Sequence, residues 1–139
     1  MKTQLYRFFA EDGQVLELIG PEDIVFPSYK LEYYETITSC GAGEGFGDRL
    51  VPDCIIAVRI TLACYIHDIM WAMAEPSWEE FHMSNSVFLS NTITLITAAS
   101  ADHKINILKN FRMYRAVSYF NAVDTIGARV FWCMKEVAA

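Results

Sequence analysis

A proline followed at once by a helix-capping signature divides the middle of the chain into two helices. Residues 60–74 are largely apolar, which is typical of a buried helix, and Pro76 ends it because its ring cannot continue the backbone hydrogen bonds. Ser77 and Glu80 match the capping box, in which the serine caps a backbone N–H and the glutamate reaches back to the serine. Because short connections favour antiparallel neighbours, residues 60–74 and 78–99 are predicted to form an antiparallel helix pair.

The flanking segments carry further structural signals. On residues 78–99, helical spacing places one set of side chains on a single stripe: Phe81, Asn85, Phe88, Thr92 and Leu95. A third helix is predicted over residues 102–126, and Gly127 is expected just past its end. Near the start, the Asp12-Gly13 step supplies the positive φ that a tight turn needs, so residues 6–19 are predicted to form a β-hairpin.

The length and composition of the chain indicate one mainly α domain. Its 139 residues are 53% hydrophobic and 20% charged, which is enough for one well-filled core and too little chain for two. We therefore expect a single domain over residues 1–139. Residues 1–36 would form a hairpin and coil extension, and residues 37–139 would form the helical core.

The charge pattern argues against nucleic acid and against a membrane span. The formal net charge is −6 and no basic stripe is visible, whereas nucleic-acid binding depends on clustered Lys and Arg. The uncharged run over residues 83–101 contains too many Ser, Thr and Asn side chains for a spanning helix. Residues 1–13 carry charges and no apolar run of signal-peptide length, so a cytoplasmic location is expected.

A glycine-rich loop and a His-Asp pair are the features that could carry chemistry. Residues 40–47 contain four glycines, and such a backbone can turn sharply and aim its carbonyls inward. His67 and Asp68 lie on the first predicted helix, where adjacent side chains point about 100° apart and serve different neighbours. Taken alone, the pair is more typical of a core histidine beside a surface aspartate than of a catalytic pair.

Together, the loop and the helix resemble phospholipase A2. That family joins a Cys-Gly-x-Gly calcium loop to a helix that bears Cys-x-x-His-Asp-x-x-Tyr. This chain shows Cys40-Gly41-Ala42-Gly43 and then Cys64-Tyr65-Ile66-His67-Asp68-Ile69-Met70-Trp71, in the same order and with the same Cys-to-His spacing. The resemblance implies a phospholipase A2-like helix pair with a third helix, calcium-dependent acyl-ester hydrolysis, and a phospholipid surface as the partner.

The resemblance also implies roles for individual residues. His67 would act as the general base on a water molecule, and Asp68 would bind calcium together with backbone carbonyls of the glycine-rich loop. Those carbonyls would belong to Ser39, Gly41 and Gly43. The calcium ion would polarise the ester carbonyl of the substrate.

Cysteine usage leaves the redox state open. Four cysteines are present without a CxxC pair, so neither a zinc ribbon nor a dithiol redox motif is indicated: Cys40, Cys54, Cys64 and Cys133. The resemblance implies a disulfide between Cys40 and Cys64. A cytoplasmic protein would instead keep both thiols reduced.

Two residues of the helix pair depart from the family's pattern, and the connection between loop and helix is longer. Trp71 stands where the family has a tyrosine, so an indole that only donates replaces a phenol. Asn85 stands where the family has an aspartate behind the histidine. An amide can fix the tautomer of His67 but cannot stabilise the imidazolium that forms, so we expect a weakened hydrolase with His67 and Asn85 as its catalytic residues.

A second resemblance supports a different hypothesis. Val51-Pro52-Asp53 and residues 63–68 are similar to a group of uncharacterised phage and bacterial proteins with a Cys-Gly loop, a Val-Pro-Asp turn and an Ala-Cys-x-x-His-Asp helix. This resemblance implies a phospholipase-like scaffold of phage origin, in the virion or delivered by another route. The alternative function is a non-catalytic binding or assembly module built on the same helices.

The remaining polar and aromatic candidates are interpreted as structural. His82 and His103 are expected to be surface histidines, and Arg112 and Arg115 are expected to lie on a solvated face. A group of aromatic residues near the end of the sequence is expected in the core rather than on a lipid-contacting surface: Tyr114, Tyr119, Phe120, Phe131 and Trp132.

Overall fold

An antiparallel hairpin is the first element of the fold. The structure is a computed structural model, and it describes residues 1–9, 13–24, 26, 54–56, 58–101 and 106–138. Strand β1 (Thr3–Phe9) pairs with strand β2 (Val15–Pro21) in a register that sets Phe9 opposite Val15. Gly13 adopts the positive φ that the Asp-Gly step predicts, at +82°. The hairpin predicted over residues 6–19 is therefore confirmed.

A second, shorter hairpin leads into the first helix. Strand β3 (Cys54–Ile55) pairs antiparallel with strand β4 (Val58–Arg59). At the turn, Ile56 has a φ of +46°, a left-handed conformation that a β-branched residue rarely adopts. This hairpin is not predicted from the sequence, because such short strands are below the length at which an alternating pattern becomes visible.

The two predicted central helices are confirmed nearly to the residue. Helix α1 is Thr61–Met73 and helix α2 is Trp78–Ala99. The Ser77 hydroxyl accepts a hydrogen bond from the Glu80 backbone N–H at 3.2 Å, as the capping box predicts. The other half of the box is replaced, because the Glu80 carboxylate accepts from the Met1 ammonium instead of reaching back to Ser77.

The last part of the chain forms two helices where one was predicted. Helix α3 is Asn106–Thr125, in agreement with the predicted end, while its predicted start at residue 102 lies outside the described residues. Helix α4 (Gly127–Ala138) then begins at the glycine that was predicted only as a helix stop. A Cβ at Gly127 would lie 2.8 Å from Cη2 of Trp71, so this glycine permits the close approach of α4 to α1.

The main apolar core lies where β2 meets helices α1, α2 and α3. Its most deeply buried side chains include Leu18, Ile60, Ile66, Met70, Phe88 and Ile96. The stripe predicted on α2 is buried throughout, so that prediction is confirmed. A second cluster joins α1 and α2 to α4 and consists of Trp71, Ala74, Phe81 and Phe131.

Asn91 fastens the first hairpin to helix α2. Its Oδ1 accepts from the Ile19 backbone N–H at 2.8 Å, and its Nδ2 donates to the Ile19 carbonyl at 2.7 Å. Asn91 is buried, so one residue of the strand satisfies both halves of a buried amide. The hairpin is therefore held on the helices by polar as well as apolar contacts.

Arg112 is buried, so the prediction that it lies on a solvated face is wrong. Its guanidinium donates twice to the Ile56 carbonyl, from Nε at 3.2 Å and Nη2 at 3.1 Å, and once to the Ser100 hydroxyl, from Nη1 at 3.1 Å. A planar guanidinium can serve two acceptors at once, which is why a cation on α3 fits between the β3–β4 turn and the end of α2. Arg115 is exposed, as predicted.

The aromatic residues of α3 and α4 divide between core and surface. Tyr119 and Phe131 are buried, while Phe120 and Trp132 are half-buried. Tyr114 is 71% exposed, so the prediction of a core position is wrong for this residue. Within the ranges that the structure describes, no helix combines the length and the apolar character needed to cross a membrane.

Candidate functional site around His67

The contact predicted between His67 and Asn85 is present. His67 lies on α1 and Asn85 on α2, and Nε2 of the imidazole is 2.9 Å from Oδ1 of the amide. The imidazole is 8% exposed and packs against the rings of Trp71 and Phe88, at centroid distances of 4.6 Å and 5.1 Å. The prediction that the two side chains face each other is therefore confirmed.

Asn85 also binds two partners that determine which way its amide faces. The indole Nε1 of Trp71 donates to Oδ1 of Asn85 at 3.1 Å, and Nδ2 of Asn85 donates to Oδ1 of Asp124 at 3.0 Å. An indole N–H can only donate and a carboxylate can only accept, so both contacts agree on one amide orientation. Asn85 is fully buried, and both ends of its amide are hydrogen-bonded.

This arrangement determines where the imidazole carries its proton. Because Oδ1 of Asn85 is an acceptor, Nε2 of neutral His67 must be the protonated nitrogen that donates to it. Nδ1 then carries the free lone pair. Trp71, at the position where phospholipase A2 has a tyrosine, thus donates a hydrogen bond to Asn85.

Burial keeps His67 neutral at ordinary pH. Desolvation lowers the pKa of His67 from 6.5 to about 4, and the hydrogen bond with Asn85 opposes that shift only in part. An amide offers no negative charge to hold the imidazolium form. The site therefore contains a neutral imidazole with a defined tautomer.

Asp68 lies beside the Nδ1 side of His67. Its Oδ1 is 3.9 Å from Nδ1 of the imidazole, and half of its side chain is exposed. The two side chains therefore approach each other, whereas their adjacent positions on a helix predict that they serve different neighbours. The carbonyls of Ser39, Gly41 and Gly43, which the resemblance implies as further calcium ligands, lie outside the described residues.

Asp68 alone would not suffice for a calcium site. Calcium takes six to eight oxygen ligands, and a single carboxylate supplies at most two. No cluster of three or more His, Cys, Asp or Glu side chains that could hold a metal occurs within the described residues. Backbone carbonyls of the glycine-rich loop would have to complete the ligand set.

Asp124 and His82 extend the hydrogen-bonded group to the protein surface. Nδ1 of His82 is 2.9 Å from Oδ1 of Asp124, and the His82 ring stacks on Trp78 with a centroid distance of 5.8 Å. The hydrogen bond from Asn85 lowers the pKa of the Asp124 carboxyl, and His82 acts in the same direction. His82 is exposed, as predicted, although it has an acidic partner. His103 lies outside the described residues.

Sequence reasoning missed Asp124 because no local pattern connects it to His67. It lies one residue before the end of α3, far along the chain from both α1 and α2. The only available signal was the amide of Asn85 on an apolar stripe. A buried amide needs an acceptor as well as a donor, so a search for an acidic residue on a third helix could have found its partner.

The redox state is defined for two of the four cysteines. Cys64 is disulfide-bonded, and Cys133 is an exposed free cysteine. Cys40 lies outside the described residues, so the disulfide between Cys40 and Cys64 stays a prediction.

Comparison of the chain with protein-family models, with curated proteins and with solved structures finds no match. The geometry around His67 and the motifs that resemble phospholipase A2 are therefore the features that bear on function.

Proposed function

We propose that this chain is a weakened, calcium-dependent acyl-ester hydrolase of the phospholipase A2 type, with His67 as its general base. The observation that carries the proposal is the state of His67: it is neutral, its Nε2 donates to Asn85, and its Nδ1 faces the side of Asp68. A general base needs an unprotonated nitrogen with a fixed direction. This tautomer supplies one.

The residues of the site would act on a water molecule bound near Nδ1. His67 would accept a proton from that water at Nδ1 while Nε2 stays hydrogen-bonded to Oδ1 of Asn85. Asn85 holds the ring in place but brings no charge to the imidazolium. Because the pKa of His67 is about 4, the imidazole is a weaker base than an ordinary histidine, which is why the proposed activity is a weakened one.

Asp68 would hold calcium together with the carbonyls of Ser39, Gly41 and Gly43. When bound, the ion would supply Lewis-acid polarisation of the ester carbonyl. Asp68 is half exposed and its Oδ1 lies 3.9 Å from Nδ1 of His67, which supports a metal ligand beside the proposed base. The substrate class is then a phospholipid or a similar acyl ester.

A separate observation favours the second candidate, a non-catalytic binding or assembly module. Helix α3 exposes large apolar side chains at helical spacing: Ile107 (64% exposed), Phe111 (60%), Tyr114 (71%) and Val117 (44%). A contiguous apolar stripe on a surface helix is typical of a contact surface for another macromolecule or a lipid layer. This surface does not include His67 and would serve a module that performs no chemistry.

An acyl-release assay on mixed micelles with a calcium titration tests the hydrolase. We expect release that rises with calcium and saturates, and its loss in His67→Gln. The matched control is Glu79→Gln, an exposed substitution at the start of α2 that should leave the rate unchanged. A rate that His67→Gln does not change would assign the activity to a contaminant, and no release at any calcium concentration would favour the binding module.

A further inference from the structure

We propose that Asp124 is a positioning residue of this site: its carboxylate sets the orientation of the Asn85 amide and thereby keeps the imidazole proton of His67 on Nε2. The chain of contacts is direct. Oδ1 of Asp124 accepts from Nδ2 of Asn85 at 3.0 Å, and Oδ1 of Asn85 lies 2.9 Å from Nε2 of His67. A catalytic role for the tautomer rests on the proposed hydrolase, whereas the positional effect does not.

The orientation of the Asn85 amide follows from which neighbouring groups can donate and which can accept. If the Asn85 amide turned over, its oxygen would face the Asp124 carboxylate, and its NH2 group would face the indole N–H of Trp71. Two acceptors would then oppose each other on one side and two donors on the other. Leaving a buried polar group without a partner is costly, so the observed orientation is strongly preferred.

Trp71 imposes the same orientation from the opposite side. Its indole donates to Oδ1 of Asn85, so removing Asp124 alone would leave one constraint in place. The effect of Asp124 must therefore be measured where Trp71 no longer contributes. The Trp71→Phe background meets this need, because phenylalanine keeps an aromatic ring in the cluster without a donor.

The Asp124 carboxylate is itself held in position. Its Oδ1 accepts from Asn85 and is also 2.9 Å from Nδ1 of His82, whose ring stacks on Trp78. The carboxylate is thus anchored to α2 at two points, one buried and one exposed. An exposed residue on α3 without this anchoring would be a poor positioning group because its side chain would sample several rotamers.

Nitrogen-15 NMR of the His67 ring distinguishes the two tautomers without an activity assay. In Trp71→Phe, we expect Nε2 to remain the protonated nitrogen. Adding Asp124→Asn lets the residue at this position donate as well as accept, so Asn85 can turn over and a second population with the proton on Nδ1 should appear. The matched control is Trp71→Phe with Asn121→Ala, an exposed change on the same helix that should leave the single tautomer.

A single Nε2-protonated form in the Trp71→Phe, Asp124→Asn variant would overturn the proposal. If that variant does not fold, Asn85→Asp with and without Asp124→Asn provides a second comparison by urea unfolding. We expect Asp124→Asn to raise the unfolding midpoint of Asn85→Asp, because an amide donor then faces the new carboxylate. A midpoint that stays equal or falls would also overturn it. Neither readout uses hydrolysis, so this proposal and the proposed function can fail separately.

Discussion

Nδ2 of Asn85 donates to Oδ1 of Asp124 at 3.0 Å, on the edge of the amide opposite to the one that faces His67. On the resemblance to phospholipase A2, Asn85→Asp is expected to raise turnover if the chain is a weakened hydrolase, and only to destabilise the core if it is a binding module. The structure adds a reason to expect destabilisation in either case. A carboxylate at this position would meet the Asp124 carboxylate, and two such groups in contact cannot both ionise without a large cost.

We therefore predict that Asn85→Asp destabilises the protein most at neutral pH, by about 1–3 kcal/mol. The loss should be smaller at pH 5, because one of the paired carboxyls will have a raised pKa and can keep its proton. Urea unfolding of Asn85→Asp and wild type at both pH values measures this. Any gain in acyl release should appear only when Asp124→Asn is added. Equal losses at pH 5 and pH 7 would show that the two side chains do not meet.

Stability should also depend on pH through His67. Its pKa is about 4 in the folded protein, against the ordinary value of 6.5 that applies to the unfolded chain. Because the pKa is lower in the folded protein, only the unfolded chain takes up a proton between pH 6.5 and pH 4. The contribution of neutral His67 to folding stability is therefore fully present above pH 6.5 and is lost as the pH falls from 6.5 to 4. The whole effect is roughly 3 kcal/mol.

Urea unfolding between pH 7 and pH 4 tests this prediction. His67→Gln removes the imidazole, so the difference between wild type and variant isolates this one group from the carboxylates that titrate in the same range. We expect the wild type to lose stability relative to His67→Gln as the pH falls. A difference that stays constant over this range would contradict a buried, neutral His67.

Two variants should distinguish calcium binding from hydrolysis. Asp68→Asn removes the charged ligand, so calcium affinity should fall by at least about tenfold, the loss that even outer-shell changes cause. The variant should still fold, because half of the side chain is exposed. His67→Gln should bind calcium nearly as wild type does while hydrolysis is lost. Calorimetric titration with calcium and acyl release measure the two effects, and equal calcium affinity in wild type and Asp68→Asn would refute the metal role.

The parts of the fold that were predicted are those with local signals. The capping serine, the Asp-Gly turn and the helical stripe on α2 each act within a few residues, and all three are present. The contact of His67 with Asn85 could be predicted from the sequence because it joins two helices that are separated by one short connection. Asp124 and Arg112 act on distant segments, and nothing in the neighbouring sequence marks a charged residue that will be held by a remote partner.

Replacing Gly127 with alanine tests whether helix propensity or the close contact with Trp71 dominates the stability of the protein. If helix propensity were decisive, Gly127→Ala would stabilise α4 by about 0.5–1 kcal/mol. We expect the opposite, a loss of about 1–3 kcal/mol, because the new Cβ would lie 2.8 Å from the Trp71 ring, which is packed between Phe81 and Phe131. Thermal or urea unfolding gives the sign directly. A stabilised Gly127→Ala would show that Trp71 can move aside.

Arg112 is expected to be among the most sensitive positions outside the site. Arg112→Met keeps much of the apolar stem but leaves the Ile56 carbonyl and the Ser100 hydroxyl without their donor, at a cost of roughly 2–4 kcal/mol. Arg112→Lys should recover only part of the lost stability, because a single ammonium cannot reproduce the planar set of donors.

The matched control is Arg129→Met, which replaces an exposed arginine on α4 and should change stability by no more than about 0.5 kcal/mol. Urea unfolding of the three variants measures these effects. Equal losses in Arg112→Met and Arg129→Met would mean that the buried hydrogen bonds of Arg112 contribute nothing beyond those of a surface cation.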